Sequence, residues 1–256
     1  MKHTCLSGLR ALLLLLLALH LAGCANMGSQ GDPRDPFEGF NRSVYSFNEV
    51  IDRTFIDRIS RLYQSVTPDF VDMAVTNFFS NLNDIVVIIN DFLQFKFEQA
   101  LADILRFVIN STLGIAGIFD VSAENGLAKH REDFGQTLAT WGIGPGPYLV
   151  VPVLGPSTVR DAAGYVVATT VVSPLSYIND TPLEFGLLAL NFVDIKADLL
   201  SAESLIAEAA VDEYEFTKNA YFNYRDNLIL DREDSMESYE DLDLEAELEA
   251  IESDSG

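Results

Sequence analysis

Between positions 134 and 159 the chain carries no charged residue, a stretch apolar enough for a membrane and yet unable to cross one as a helix. Gly142, Gly144, Pro145, Gly146, Pro147, Pro152, Gly155 and Pro156 interrupt it, and proline both removes a helical N–H and clashes with the preceding turn. Nor can such backbone lie bare in hydrocarbon, where every unpaired N–H and C=O is strongly penalised. The loop over 141–156 is therefore expected to pack against the rest of the protein or to line a wet cavity. Gly144 and Gly146 are its candidate functional positions, provided that glycine there holds a positive φ or a close contact.

Around this loop the periodicity is helical. Asp35 as cap and Pro36 in the first turn open a helix on which Phe37, Phe40, Val44, Phe47 and Ile51 recur at spacings of three and four. Such a stripe by default faces a helical core, with lipid as the other possibility. A short helix over 56–66 is expected to end before Pro68. A longer one from Asp69 is expected to bend or stop at Asn81 and Asn83, with Asp84 capping the run that begins at Ile85. That run is β-branched, so strand competes, but Ile85, Ile88, Ile89 and Phe92 continue a helical face. Residues 97–112 form a clearer helix, with Ala100, Leu101, Ile104, Leu105, Val108 and Ile109 expected inward and Gly114 as its stop. Further helices are expected over 183–200, with Phe185, Leu188, Phe192 and Ile195 on one face, and over 203–230.

No strand-turn-strand rhythm or repeat period is visible. The expected fold is mainly α: a single helical body with an irregular Gly/Pro-rich loop. Too many faces are apolar for a soluble bundle, and no segment reads as a transmembrane helix, so the body is expected to sit in one membrane leaflet.

The N-terminus says how it is held there. Lys2 and Arg10 precede an apolar run over 11–19, followed by Leu21-Ala22-Gly23-Cys24. That is the order of a bacterial lipoprotein signal: residues 1–23 removed, and Cys24 lipidated on sulfur and acylated on its new amino group. Ala25, rather than an aspartate, favours the outer membrane. Residues 24–36, small and polar, form a tether, 37–230 the helical domain, and 231–256 an acidic tail expected to be disordered.

Charge and composition exclude several functions. Loss of Lys2 and Arg10 with the signal lowers the formal charge from −23 by two, to −25, so nucleic acid is not an expected partner. Cys5 leaves with the signal and Cys24 is consumed by lipid, leaving no thiol for a disulfide or zinc site. His130 is the only histidine of the mature chain, which rules out a two-histidine metal site and limits any Ser-His-Asp triad to one position. The segment from Gly155 to Val159 lacks the closing glycine of a nucleophile elbow, and the run from Gly142 to Pro147 lacks the lysine of a phosphate cradle. No catalytic residue, metal or cofactor is expected.

Several motifs have a familiar order. Asp35-Pro36-Phe37-Glu38-Gly39-Phe40-Asn41-Arg42, Asn77-Phe78 with Asn81-Leu82, Arg106-Phe107 with the run from Asn110 to Gly114, the run from Glu132 to Leu138, Gly146-Pro147-Tyr148-Leu149, Pro152, Leu154-Gly155-Pro156-Ser157 and Arg160-Asp161 resemble the VacJ (MlaA) family of outer-membrane lipoproteins. The resemblance covers 35 to about 230, departs at Ala139, where the family commonly has glycine, and leaves out the acidic tail. It implies a ring-like helical body with a central polar channel, and a role in retrograde phospholipid transport. In that role, mislocalised phospholipid is taken from the outer leaflet and passed to a periplasmic carrier, with an outer-membrane porin trimer as companion. Asn77 and Phe78, an amide and an aromatic side by side on a helix, join Gly144 and Gly146 as candidate channel or regulatory residues. Two other functions remain open: a phospholipase acting on the same lipid, and a structural envelope lipoprotein.

Overall fold

The computed structural model describes residues 32–231. Cys24 with its signal, and the tail beyond Asp231, lie outside the described residues.

Helix α1 (Glu38–Ile51) passes through a π turn (Asp52–Ile56) into α2 (Asp57–Val66), which ends at Thr67 because the residue before Pro68 is forced out of the helical region. Asp35 does not cap α1. The cap position is Phe37, without a side-chain hydrogen bond, while Asp35 is buried and accepts from Asn41 Nδ2 at 2.7 Å and from the Tyr214 hydroxyl at 2.5 Å. The last residues of the expected tether are thus fastened to the body, with Tyr148 N donating to Arg34 O at 2.8 Å.

Helix α3 (Asp69–Leu93) runs 25 residues without the expected break at Asn81 and Asn83. Asn and Asp interrupt helices by bonding nearby backbone, and here the side chains of Asn81 and Asp84 are engaged elsewhere. Asn81 donates to Ser111 Oγ at 3.0 Å, and Asp84 accepts from Lys129 Nζ at 2.5 Å. The β-branched run is helical, as its periodicity required. A tight turn through Phe95, at φ 64°, leads to α4 (Phe97–Thr112), which packs along α3. Three consecutive positive φ values at Ile115, Ala116 and Gly117 fold the connector back on α3. A Cβ on Gly117 would collide with the Asn81 side chain. A short α5 (Val121–Glu124) follows.

The charge-free stretch is more regular than expected. It begins as α6 (Phe134–Thr140), capped by Asp133 through Gln136 N at 2.9 Å. It continues as an antiparallel hairpin of β1 (Tyr148–Val151) and β2 (Gly155–Thr158), with Tyr148 opposite Thr158 and Val151 opposite Gly155. Two devices produce that hairpin, one local and one distant: positive φ at Val153 and Gly155, and partners for β1 supplied by α1, described below. Thr158 then caps α7 (Val159–Val167), followed by a π turn (Ala168–Val172) and a 3-10 turn (Pro174–Tyr177). The region expected to be one helix over 203–230 is two. Helix α8 (Thr181–Ala209) ends at Ala210, and Asp212 caps α9 (Glu213–Ile229) by accepting from Glu215 N at 3.1 Å.

The faces point the opposite way from the default. On α1 the buried residues are Asn41 and Asn48, while Phe47 is 52% exposed. On α4 they are Ala100, Asp103, Arg106 and Asn110. Of the six expected inward only Ala100 is buried, and Leu101, Leu105 and Val108 are exposed. Phe185, Leu188 and Ile195 of α8 are exposed as well. The 3.6-residue period fixes that two faces differ, and the surroundings decide which one turns outward. The apolar core is small: Tyr148, Val150, Tyr214 and Phe222, flanked by Val44, Tyr45 and Tyr221. Much of the remaining interior is polar. No described helix is long and apolar enough to cross a membrane.

Candidate functional site

A cleft of about 320 Å³ opens between the continuous helix of α1, the π turn and α2 on one side, and α8 with the start of α9 on the other. The first wall bears Glu49, Arg53, Asp57 and Arg61, spaced four residues apart and so close to one face of a helix. Across from them stand Glu203 of α8 and Glu213 of α9, with Leu199, Leu200 and Ile206 supplying an apolar surface. The Arg53 guanidinium bridges the walls, 2.6 Å from Glu49 Oε2 and 3.3 Å from Glu213 Oε2. Burial raises the pKa of Glu49 despite that partner, and the carboxylate of Glu213 adds to the rise. Lys196 Nζ lies 2.8 Å from Glu203 and 3.3 Å from Asp52. The cleft therefore offers both signs of charge beside an apolar surface, in a body whose exterior is rich in exposed Phe, Leu, Ile and Val.

The residues singled out from the sequence lie elsewhere, and none of the four lines this cleft. Asn77 Nδ2 donates to Ile118 O at 3.2 Å, tying α3 to the left-handed connector, and Phe78 packs edge-on against Phe79, 5.3 Å between ring centres. Gly146 has φ 68°, and a Cβ there would come within 3.2 Å of Val159 Cβ. Gly144 has neither constraint: its φ is not positive and the space around it is open. The loop is split in its environment. Residues 141–146 are exposed, with Trp141 Nε1 donating to Leu93 O at 3.0 Å, while Tyr148 and Val150 are buried.

The inward face of α1 carries residues that sequence reasoning missed. Asn41 donates Nδ2 to Tyr148 O and accepts from Val150 N, both at 3.0 Å. Asn48 donates to Val151 O at 3.0 Å and accepts from Val153 N at 2.8 Å. Each side-chain amide presents one donor and one acceptor, as a neighbouring strand would, so two asparagines seven residues apart complete the free edge of β1. Their signal in the sequence is that spacing, opposite the aromatic stripe.

A second ionic cluster lies beneath α3 and α4. Asp91 and Asp103 are both fully buried, and each leaves one carboxylate oxygen without a hydrogen-bond partner. Gln99 Nε2 donates to Asp91 at 2.9 Å and His130 Nδ1 lies 2.9 Å from Asp103. Glu132 accepts from Lys96 Nζ and Gln94 Nε2, both at 2.7 Å. Burial, with the neighbouring Asp103 carboxylate, pushes Asp91 up to about 8. His130 is thus engaged within a structural network. Arg106 holds the connector in place through Asp120 at 2.6 Å and Leu127 O at 2.7 Å.

Comparison with known proteins gives a consistent result. The family model described as MlaA lipoprotein matches residues 33–228. Over 211 residues, 80% of this chain and 83% of theirs, the chain is 33% identical to proteins of Shigella flexneri and of Escherichia coli strain K12, both named intermembrane phospholipid transport system lipoprotein MlaA. It is 32% identical over 204 residues, 80% of each chain, to an uncharacterised protein of Rickettsia bellii. A solved structure from work on the structural basis for maintenance of bacterial outer membrane lipid asymmetry superposes with a TM-score of 0.68 at 30% identity, covering 76% of this chain and 98% of the other. An all but helical body, polar within and apolar without, and a family match that runs from the first fastened residues to the end of α9 lead to one assignment: the chain belongs to the MlaA lipoprotein family.

Proposed function

We propose that this protein works in intermembrane phospholipid transport, withdrawing mislocalised phospholipid from the outer leaflet of the outer membrane. The observation that carries this is the placement of polarity: asparagines, carboxylates and guanidiniums inside or around the cleft, with phenylalanine and aliphatic side chains outside. Hydrocarbon accepts an apolar exterior at no cost and drives polar groups inward to partners. A phospholipid crossing such a body needs a polar route for its head and an apolar surround for its tails, and no covalent chemistry. The body would be held by acyl chains on Cys24, face the periplasm, and pass its cargo to a periplasmic carrier beside a porin trimer.

The test is a gene deletion complemented with wild type or Cys24→Ala. Deletion should raise outer-leaflet phospholipid, read by an enzyme that modifies only surface-exposed lipid, and should sensitise cells to detergent with EDTA. Wild type should reverse both effects and Cys24→Ala neither. Unchanged outer-leaflet phospholipid in the deletion would overturn the transport proposal. Fatty-acid release by purified protein, lost in His130→Ala, would replace it with a phospholipase.

A further inference from the structure

The cleft carries more acid than base, and most of its charges are already committed. Arg53 is held by Glu49 and Glu213, and Glu203 is held by Lys196. Asp57 and Arg61 remain, one helical turn apart on α2 with roughly 6 Å between their Cβ atoms. Both line the cleft, and neither pairs with a described residue. An incoming ligand therefore meets one available guanidinium, one available carboxylate and a surrounding excess of negative charge.

An anionic head would gain Arg61 and be opposed by Asp57, Glu49 and Glu213. A head with phosphate and ammonium on neighbouring carbons would gain both free groups, its ammonium turned to Asp57 and its phosphate to Arg61. Leu199 and Ile206, on the same cleft, would take the first methylenes of the acyl chains. Resting on the transport proposal, we infer that this cleft is a headgroup site that selects zwitterionic, ethanolamine-type phospholipid over phospholipid with an anionic glycerol head.

The experiment titrates the full-length protein in detergent with dihexanoyl phosphatidylethanolamine and dihexanoyl phosphatidylglycerol, followed by calorimetry. The ethanolamine lipid should bind at least about three-fold more tightly at low salt, and the ratio should narrow as salt rises. Asp57→Asn should bring the ratio to about one, weakening the ethanolamine lipid and relieving the repulsion on the glycerol lipid, and Arg61→Gln should weaken both. Arg61 is exposed and Asp57 half-buried, so both variants should keep the wild-type circular dichroism. Equal affinities in wild type, preference for the glycerol lipid, or a ratio unmoved by Asp57→Asn would overturn the selection while leaving transport standing. Failure of both lipids to bind would overturn the cleft as a headgroup site, while transport is decided separately by outer-leaflet phospholipid in the deletion strain. Glycerophosphoethanolamine, which has no tails, should bind at least about ten-fold more weakly; equal affinity would overturn the inference by assigning the cleft to a soluble phosphoester.

Discussion

Asp91 is a buried carboxylate that stays protonated well above the ordinary range, and this has a consequence for stability. Its faces are occupied by Asp103 of α4, by Glu132 and His130 from the segment before α6, and by Gln99. Two carboxyl groups this close, each with an oxygen otherwise unpartnered, are accommodated when one proton is shared between them. The folded protein holds that proton up to about pH 8, whereas an unfolded aspartate loses it near 3.8. The folded state thus binds more protons across this window. Its stabilising contribution is complete below the unfolded value and is lost as pH rises towards 8. Thermal unfolding in detergent should show stability falling between pH 5 and pH 8, by at most about 1.4 kcal/mol per pH unit for a single proton. Asp91→Asn, neutral at every pH, should flatten that slope.

At the scale of elements, the junction of α1 with the hairpin depends on asparagine amides standing in for a strand. Removing one leaves a backbone N–H and C=O of the hairpin unpaired, so Asn48→Ala should cost about 1–3 kcal/mol, read from the denaturation midpoint. Asn48→Leu, which keeps the volume but forms neither bond, should be no better. The loop before β1 gives a comparison within one segment. Gly146→Val meets both a left-handed backbone and Val159, and should lower stability by about 1–2 kcal/mol or more. Gly144→Val meets neither and should be close to neutral. Equal losses would show that the tip of the loop is constrained by something other than its own backbone.

Element positions were largely legible. Helices over 97–112 and, to within one residue, 56–66, and the helical fate of the β-branched run after Asp84, follow from spacing, proline and glycine. What failed were local signals overruled at a distance. The break expected at Asn81 and Asn83, with Asp84 as cap, does not occur, and Ser111 and Lys129 engage the side chains of Asn81 and Asp84. Asp35 did not cap α1 because Tyr214, 179 residues along the chain, takes its carboxylate. The hairpin escaped notice because its register depends on amides from α1.

For the molecule as a whole, the acidic C-terminus tests where the domain ends. Asp231, the last described residue, reaches Lys96 at 2.5 Å, but it is exposed and Lys96 keeps Glu132 at 2.7 Å. Such a pair contributes about 1 kcal/mol or less. Truncation after Leu230 should leave the melting temperature within a few degrees of wild type and lipid asymmetry intact in cells. Association with the proposed carrier should slow at most at low ionic strength. An unfolded or inactive truncation would place the tail inside the functional unit.

The sequence by itself determined the helical content, the unusual charge-free stretch, the poverty of catalytic groups and the family, because those depend on composition, spacing and motif order along the chain. It could not determine which face of each helix is interior. Periodicity is unchanged when a helix is turned about its axis, and the usual choice assumes water outside. The charged cleft had a trace in the four-residue spacing of Glu49, Arg53, Asp57 and Arg61. On its own that spacing equally describes a solvated helix surface. Only the tertiary structure, by bringing α8 and α9 against that face, turned it into a site.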